Sequence, residues 1–514
     1  MPYFDLLKEP LFTVRSAGGA VGKASITQIL ERFSNKENLE FPALRTHQQH
    51  PWYASLTQLA SLALHHSQQE FGPATARQWE EWLLSLTQGG REPFCLVVEN
   101  LAQPAFFQPP VPEENLKNFK PLSTPDEMDV LATAKNHDVK MARMAHPSPE
   151  HWIYSLITLQ TMNGYTGPKN FGVTRMNGGF ASRPFVSYAP GQGWGERFCR
   201  DVPVLLSSRE EMISTYGYRE TGGKTLLWLE PWNGETSLEL QQCDPFFIEI
   251  CRRIRLQEDA GEITAFRSVS AVCRIDPQDR NGVTGDPWTP VVLGKQEKAL
   301  NITLNGWNYG LVQRLLLSDA FKPGATQCFY AGDSGPMFFI ASALARKQGG
   351  TQGFHERVVP IPCEVQSLLT VPSEGERIAE IARRRVEDAG TWRRDVLNWA
   401  LLALLQGKPE KLNFRDKRTD PVLRDFDERI DRIFFADLWT DISLPREEAA
   451  VKWNRKLLGI AKTQLENANR FISVSSGNIY RNQAHASMFF GYRARKNFPD
   501  LFPGQPKQER GEKR

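Results

Sequence analysis

The sequence predicts an α+β protein: a large mixed N-terminal domain of irregular loops and β-sheets over residues 1–372, a C-terminal four-helix bundle over 373–498, and a charged tail over 499–514. Three observations predict it. At 514 residues the chain exceeds what one hydrophobic core serves, so at least two domains are expected. Between Thr225 and Thr303, short apolar or alternating runs separated by turn residues read as strands. Beyond about Thr370 the pattern changes to four long segments of helical period with short connections, which is how an antiparallel bundle reads.

Taken in order, Leu11–Val14 opens as a short strand. Helical spacing follows in Trp52–His65, through Leu56, Leu59, Leu62 and Leu64, and again in Trp79–Leu86. The Pro-rich Gln103–Pro112 breaks regular structure and reads as an extended connection crossing a surface. The polar stretch after it, to about Pro149, is a long irregular loop, of a length that is usually functional or disordered. Glu150–Thr161 is helical through Trp152, Leu156 and Leu159, and leads into the glycine-rich run Asn163–Gly172, with Asn177–Gly179 soon after. Strands are expected at Leu226–Leu229, Phe246–Ile250, Ile263–Val269 and Ala299–Thr303, and a short helix at Leu311–Leu317. Met337–Ala345 is apolar and fits strand or helix; Lys347–Arg357 (KQGGTQGFHER) then sets three glycines around a threonine and a glutamine. The bundle helices span roughly Glu374–Leu405, Pro421–Trp439, Arg446–Phe471 and Ile479–Lys496. In the first, Ile378, Ile381, Ala382, Val386, Val396, Trp399, Ala400 and Ala403 share a face, while Arg383–Arg385 and Arg393–Arg394 point elsewhere.

Composition bounds the function. An apolar fraction of 40% with 24% charged residues is that of a soluble globular protein. The N-terminus lacks the basic and apolar regions of a secretory signal, and no window approaches the roughly 18 apolar residues of a membrane span. A cytoplasmic protein without a membrane partner is expected. Seven cysteines, Cys95, Cys199, Cys243, Cys251, Cys273, Cys328 and Cys363, are scattered with no C-x-x-C pair, which argues for reduced thiols and against a closed structural zinc site. The net charge of +3, from 62 basic and 59 acidic residues, is too balanced to indicate a nucleic-acid partner, so any basic surface must be local.

Few strings carry chemistry. Gly332–Pro336 (GDSGP) is similar to the nucleophile segment of chymotrypsin-like proteases but lacks one of the glycines that the family pattern carries after the serine. A serine nucleophile also needs a base and an orienting carboxylate, and a turn before an apolar element is the plainer reading of Ser334. His65 and His66 face different sides of a helix, and no His-Glu-x-x-His or His/Cys cluster appears, so neither metal nor cofactor is expected; His355 reads as structural. Neither glycine run has the Walker or dinucleotide-binding context. Glycines among Lys, Asn, Thr and Gln do let a backbone approach a polynucleotide while polar side chains bond to base edges, although composition alone favours plain loops.

Order along the chain adds to this. Phe4–Val14 (FDLLKEPLFTV), Leu131–Val139, Asn163–Gly179, Leu229–Trp232 (LEPW), Asp244–Arg253, Gly285–Pro290 and Gly349–Arg357 together resemble, over nearly the whole length, the CasA family. Its members are the large subunits of Cascade, the type I-E CRISPR surveillance complex of antiviral defence. The resemblance implies a non-catalytic subunit that reads the protospacer-adjacent motif (PAM) of double-stranded DNA and starts unwinding for R-loop formation. It also implies recruitment of a helicase-nuclease. The partners implied are the crRNA, the backbone, small, tail and crRNA-processing subunits, and target DNA. Carried over residue by residue, the PAM glycine loop is Gly167–Gly172, with Gly167, Lys169, Asn170 and Gly172; the wedge is Thr351, Gln352 and Gly353, with Gln352 at its tip. The basic finger is Arg274, with Arg267 the alternative, and Lys135, Asn136 and His137 form the loop that reaches the guide end. The wedge glycines would let a loop bend and enter between strands, with Phe354–Arg357 anchoring it. Some members carry two cysteine pairs that suggest zinc; here only Cys243 and Cys251 remain near that region, so no metal is expected. Minor-groove readout is degenerate, so a few glycines and one basic residue suffice for several motifs. Opening costs roughly 1.4 kcal/mol per base-pair step, so a wedge need hold only the first. The bundle arginines fit a displaced strand, a neighbouring protein or a solvated face equally. Two other readings stay open, an interaction subunit whose DNA contacts are made by its partners, and a hydrolase using Ser334.

Overall fold

The computed structural model describes residues 3–131, 144–177, 179, 181–333, 335–347, 350–407, 411–471 and 478–502. The chain forms two compact units, Met1–Trp307 with Asp319–Cys363, and Asn308–Ser318 with Glu364–Arg514. The boundary expected between 372 and 373 therefore falls between Cys363 and Glu364. A mid-chain segment also joins the second unit, because the helix Tyr309–Leu317 packs there: the Tyr309 ring lies 5.1 Å from Phe434 and its N–H donates to Asp431 Oδ1 at 2.6 Å.

In the first unit the helix Gln49–His66 runs through the core and is buried almost throughout. Its hydroxyls cost nothing there, since Ser55, Thr57 and Ser61 each donate to the carbonyl four residues back. Trp52 packs between Phe12, at 4.9 Å, and Tyr154 of the helix Pro149–Met162, at 5.3 Å. A third long helix, Trp194–Tyr216, escapes sequence reading for a physical reason. Its inner face carries charges that are buried in pairs, Arg200 on Asp333 at 2.8 Å and Arg209 on Asp244 at 2.9 Å, so polar residues interrupt the apolar period. The helix Ile26–Ser34 was equally unread, although Ser25 and Gln28 form a capping box at its start.

The Pro-rich passage does not cross a surface. Ala105–Val111 is buried, with Phe107 stacked on Trp228 at 4.4 Å. Such a loop survives inside because long polar side chains satisfy its neighbourhood: Gln108 Nε2 donates to Leu96 O, Gln160 Nε2 to Phe107 O, and Arg255 to Gln103 O and Val98 O. Of the expected strands, Leu226–Leu229 is mostly a 3-10 turn after the strand Lys224–Leu226, and Ala299–Thr303 keeps only Lys298–Ala299. Cys243–Ile248 and Glu262–Ser268 are strands.

Two three-stranded antiparallel sheets position the candidate site. One orders Arg253–Asp259, Glu262–Ser268 and Lys120–Leu122. The other places Met337–Lys347 between Phe185–Ala189 and Gly350–Ile361. The apolar run beginning at Met337 is therefore strand, and Gly350–Ile361 is its hairpin partner rather than a loop.

The second unit is helical. Pro372–Thr391 continues through a π-helical turn, Trp392–Leu397, into Asn398–Gln406, which Gly407 ends in the left-handed region at φ 62°. Asp420–Asp441, Arg446–Phe471 and Ile479–Asn497 complete the four long helices that periodicity predicts. Trp392, Leu401, Phe434, Trp453 and Leu457 are fully buried among them.

Candidate nucleic-acid interface

The glycine loop is shaped by two different uses of glycine. At its neck Val173 N–H donates to Asn163 O at 3.0 Å, drawing the ends together. A Cβ on Gly164 would lie 1.9 Å from Ala181 O and one on Gly172 2.5 Å from Gly164 Cα, so neither position admits a side chain. At the tip Asn170 N–H closes a turn on Gly167 O at 3.0 Å. Pro168 stands second in that turn and Lys169 third at φ +63°, the type II pattern. Gly167 has φ +134° and open space where a Cβ would point; Lys169 is exposed. Of the four residues expected to contact DNA, Gly167, Lys169 and Asn170 form the tip, whereas Gly172 is spent on the backbone crossing at the neck.

The two finger candidates separate. Arg274 is 3% exposed, donates to Leu227 O at 3.1 Å and Glu230 O at 3.0 Å, and lies 5.4 Å from the Trp232 ring. Burial lowers it to about 10. It ties down the Leu227–Trp232 segment and is not a protruding finger. Arg267, half-buried on Glu262–Ser268, instead reaches the glycine loop, donating to Asn170 Oδ1 at 2.6 Å, and Ser270 N–H reinforces the junction by donating to Lys169 O at 3.1 Å.

The wedge residues begin the strand Gly350–Ile361. Register pairs Ala345 with Gly353 and Arg346 with Thr351, which leaves Gln352 unpaired as a bulge residue. Glycine in a strand commonly marks such an irregularity, and here the bulge, not a flexible loop, turns an exposed Gln352 out of the ladder. Thr351 Oγ1 donates to Val130 O at 2.6 Å. Further along, Phe354 packs against the core with its ring 6.5 Å from His47, and His355 O accepts from Trp307 Nε1 at 3.1 Å. His47 in turn holds Asp129 at 2.8 Å, so the hairpin and the segment leading to the guide-end loop share one anchor. Lys135, Asn136 and His137 lie outside the described residues, as does Ser334. The neighbouring Asp333 is ion-paired with Arg200.

One link joins wedge and loop: Arg346 Nη1 donates to Asn163 Oδ1 at the loop neck. Arg252, just before Arg253–Asp259, donates to Gly164 O at 3.1 Å and Thr166 Oγ1 at 3.3 Å. Burial, and after it the charge of Arg252, lowers both Arg267 and Arg346 to about 10, so both remain cations at neutral pH. Sequence reading missed Arg252 and Arg346. Their one signal was a basic pair, Arg252–Arg253 and Arg346–Lys347, at a strand end.

Neither a protein-family model nor a curated protein sequence matches the chain. Solved structures do match in fold. The crystal structure of CRISPR-associated protein Cse1 from Acidimicrobium ferrooxidans aligns with a TM-score of 0.66 at 14% identity, covering 98% of this chain and 100% of that one. Thermobifida fusca Cse1 aligns at 0.62 and 14% identity, covering 97% and 98%. A chain of a CRISPR RNA-guided surveillance complex aligns at 0.61 and 12%, covering 95% and 100%. The fold of this chain is thus the Cse1 fold, also called CasA, over nearly its whole length.

Proposed function

We propose that this chain, built on the Cse1 fold, is the large subunit of a CRISPR RNA-guided surveillance complex of the Cascade type. In that complex it reads the PAM in double-stranded DNA and starts strand separation, without catalytic chemistry of its own. One observation carries the reading: three segments far apart in sequence meet in one patch. Asn170 of the glycine loop bonds Arg267, Asn163 at its neck bonds Arg346, and Arg346 pairs with Thr351 beside the bulged Gln352. An open glycine turn, an exposed lysine and an exposed amide on a rigid hairpin suit a shallow, degenerate groove. A rigid hairpin also resists the push-back of stacked bases better than a flexible loop does. Partners in this reading are the crRNA-bearing subunits, target DNA and a separate helicase-nuclease, in the cytoplasm.

The test is binding of the assembled complex to duplexes with and without the motif. Gln352→Ala and Gly167→Asp are expected to cut motif discrimination at least about 10-fold, the scale of one lost base-edge contact. Unchanged discrimination in both variants would hand DNA reading to the partners and leave this chain an interaction subunit.

A further inference from the structure

Buried arginines in this protein follow two patterns. Some are neutralised, as Arg183 is by Asp286 and Arg209 by Asp244. Others stand singly among carbonyl oxygens, as Arg255 and Arg274 do. Arg252, Arg267 and Arg346 follow neither. They come from three separate segments, and each side-chain hydrogen bond described for them ends on an uncharged oxygen of Cys251, Asn163, Gly164, Thr166 or Asn170. Arg252 sits close enough to both of the others to disfavour their charge. Arg252 is 2% exposed, and its Nε and that of Arg346 are buried without an acceptor among the described residues. Clustered cations with unused donors are costly alone, and an oxyanion would relieve both the repulsion and the missing bonds. Arg267 and Arg346 are only half-buried, so an anion reaches them from outside while Arg252 backs the site.

We propose that Arg252, Arg267 and Arg346 form a phosphate seat at the neck of the Asn163–Gly172 loop, which takes a backbone phosphodiester of the duplex. The seat would hold the duplex backbone beside Gln352 and the Gly167 turn without reading a base, so these arginines are positioning residues. This rests on reading the patch as a DNA interface. A phosphodiester is favoured over a free phosphate because the exposed Lys169 and Gln352 extend the polar surface beyond the seat.

The experiment uses the assembled complex and motif-bearing duplexes over a range of salt. Arg267→Gln and Arg346→Gln are each expected to weaken binding and to reduce the slope of log affinity against log salt by about 1, with the ratio between motif and non-motif duplexes largely kept. Arg267→Lys and Arg346→Lys should restore the slope, which separates lost charge from lost fold. Wild-type slopes in both glutamine variants would overturn the proposal. So would a thermal shift of the free chain by inorganic pyrophosphate that Arg267→Gln abolishes while the duplex slope stays unchanged, since the seat would then serve a free phosphate. If the wild-type complex fails to discriminate motifs, the function proposed above fails, while the salt slopes still judge the seat.

Discussion

The arginines of the helical bundle and those around the glycine loop are handled in opposite ways. In the helical unit the conspicuous basic runs are largely neutralised: Arg383 pairs with Glu387, Arg385 with Asp441, Arg393 with Asp427 and Arg394 with Asp395. Around the glycine loop, three arginines scattered along the sequence converge, among the described residues, on neutral oxygens alone. A cluster of basic letters is thus a poor guide to available charge. What counts is whether folding supplies carboxylates, and here it supplies them to the bundle and withholds them from the loop.

That contrast is sharpest in a substitution that strands a charge. Arg385→Ala leaves Asp441 with only the more exposed Lys452 and removes the cation 5.0 Å from the Trp453 ring. A loss of about 3 kcal/mol is expected, measured by chemical denaturation of the helical unit's transition. Next is Gly172→Ala, whose new Cβ meets the backbone of Gly164 at 2.5 Å. About 1–3 kcal/mol of destabilisation is expected, with motif discrimination impaired although residue 172 lies at the neck and not at the tip. If the variant keeps full stability, the neck is looser than its geometry implies.

A titratable group extends the comparison. His50 is stacked on Phe185 at 5.7 Å, and burial, then the charge of Arg197, holds it well below its usual 6.5. The unfolded chain accepts a proton there that the folded chain refuses. The stability from this site is therefore complete above about pH 6.5 and falls as the pH drops below it. His50→Phe should flatten the acid side of a plot of Tm against pH, and an unchanged acid limb would show that His50 protonates in place. The smallest effect expected is that of Arg267→Gln on stability, about 0.5 kcal/mol or less either way, because the lost bond to Asn170 is offset by relief from Arg252. A loss of several kcal/mol by calorimetry would instead make Arg267 a structural residue like Arg274.

Much of the fold was legible because periodicity reports burial wherever the buried face is apolar. The four bundle helices and Gln49–His66 were read nearly to their ends. Trp194–Tyr216 was not, since its buried face pairs charges across the chain, and no window of sequence contains Asp244 or Asp333. The candidate site was legible as separate strings only. Ordered resemblance pointed to the glycine turn and Gln352, but deciding between Arg274 and Arg267 turned on burial, which a strand-end arginine does not announce. The bulge at Gln352 needed register, and register exists only between strands.

Lys169 sits in a backbone conformation that glycine or asparagine adopts at lower cost, a penalty of roughly 1 kcal/mol for an ordinary side chain. Selection for stability alone would have relaxed that position, since the turn needs only its third residue left-handed. Keeping an ammonium group there, at an exposed position of the turn, gives up thermodynamic ease for a presented cation. The turn thus acts as a pedestal whose strain is part of what it holds up.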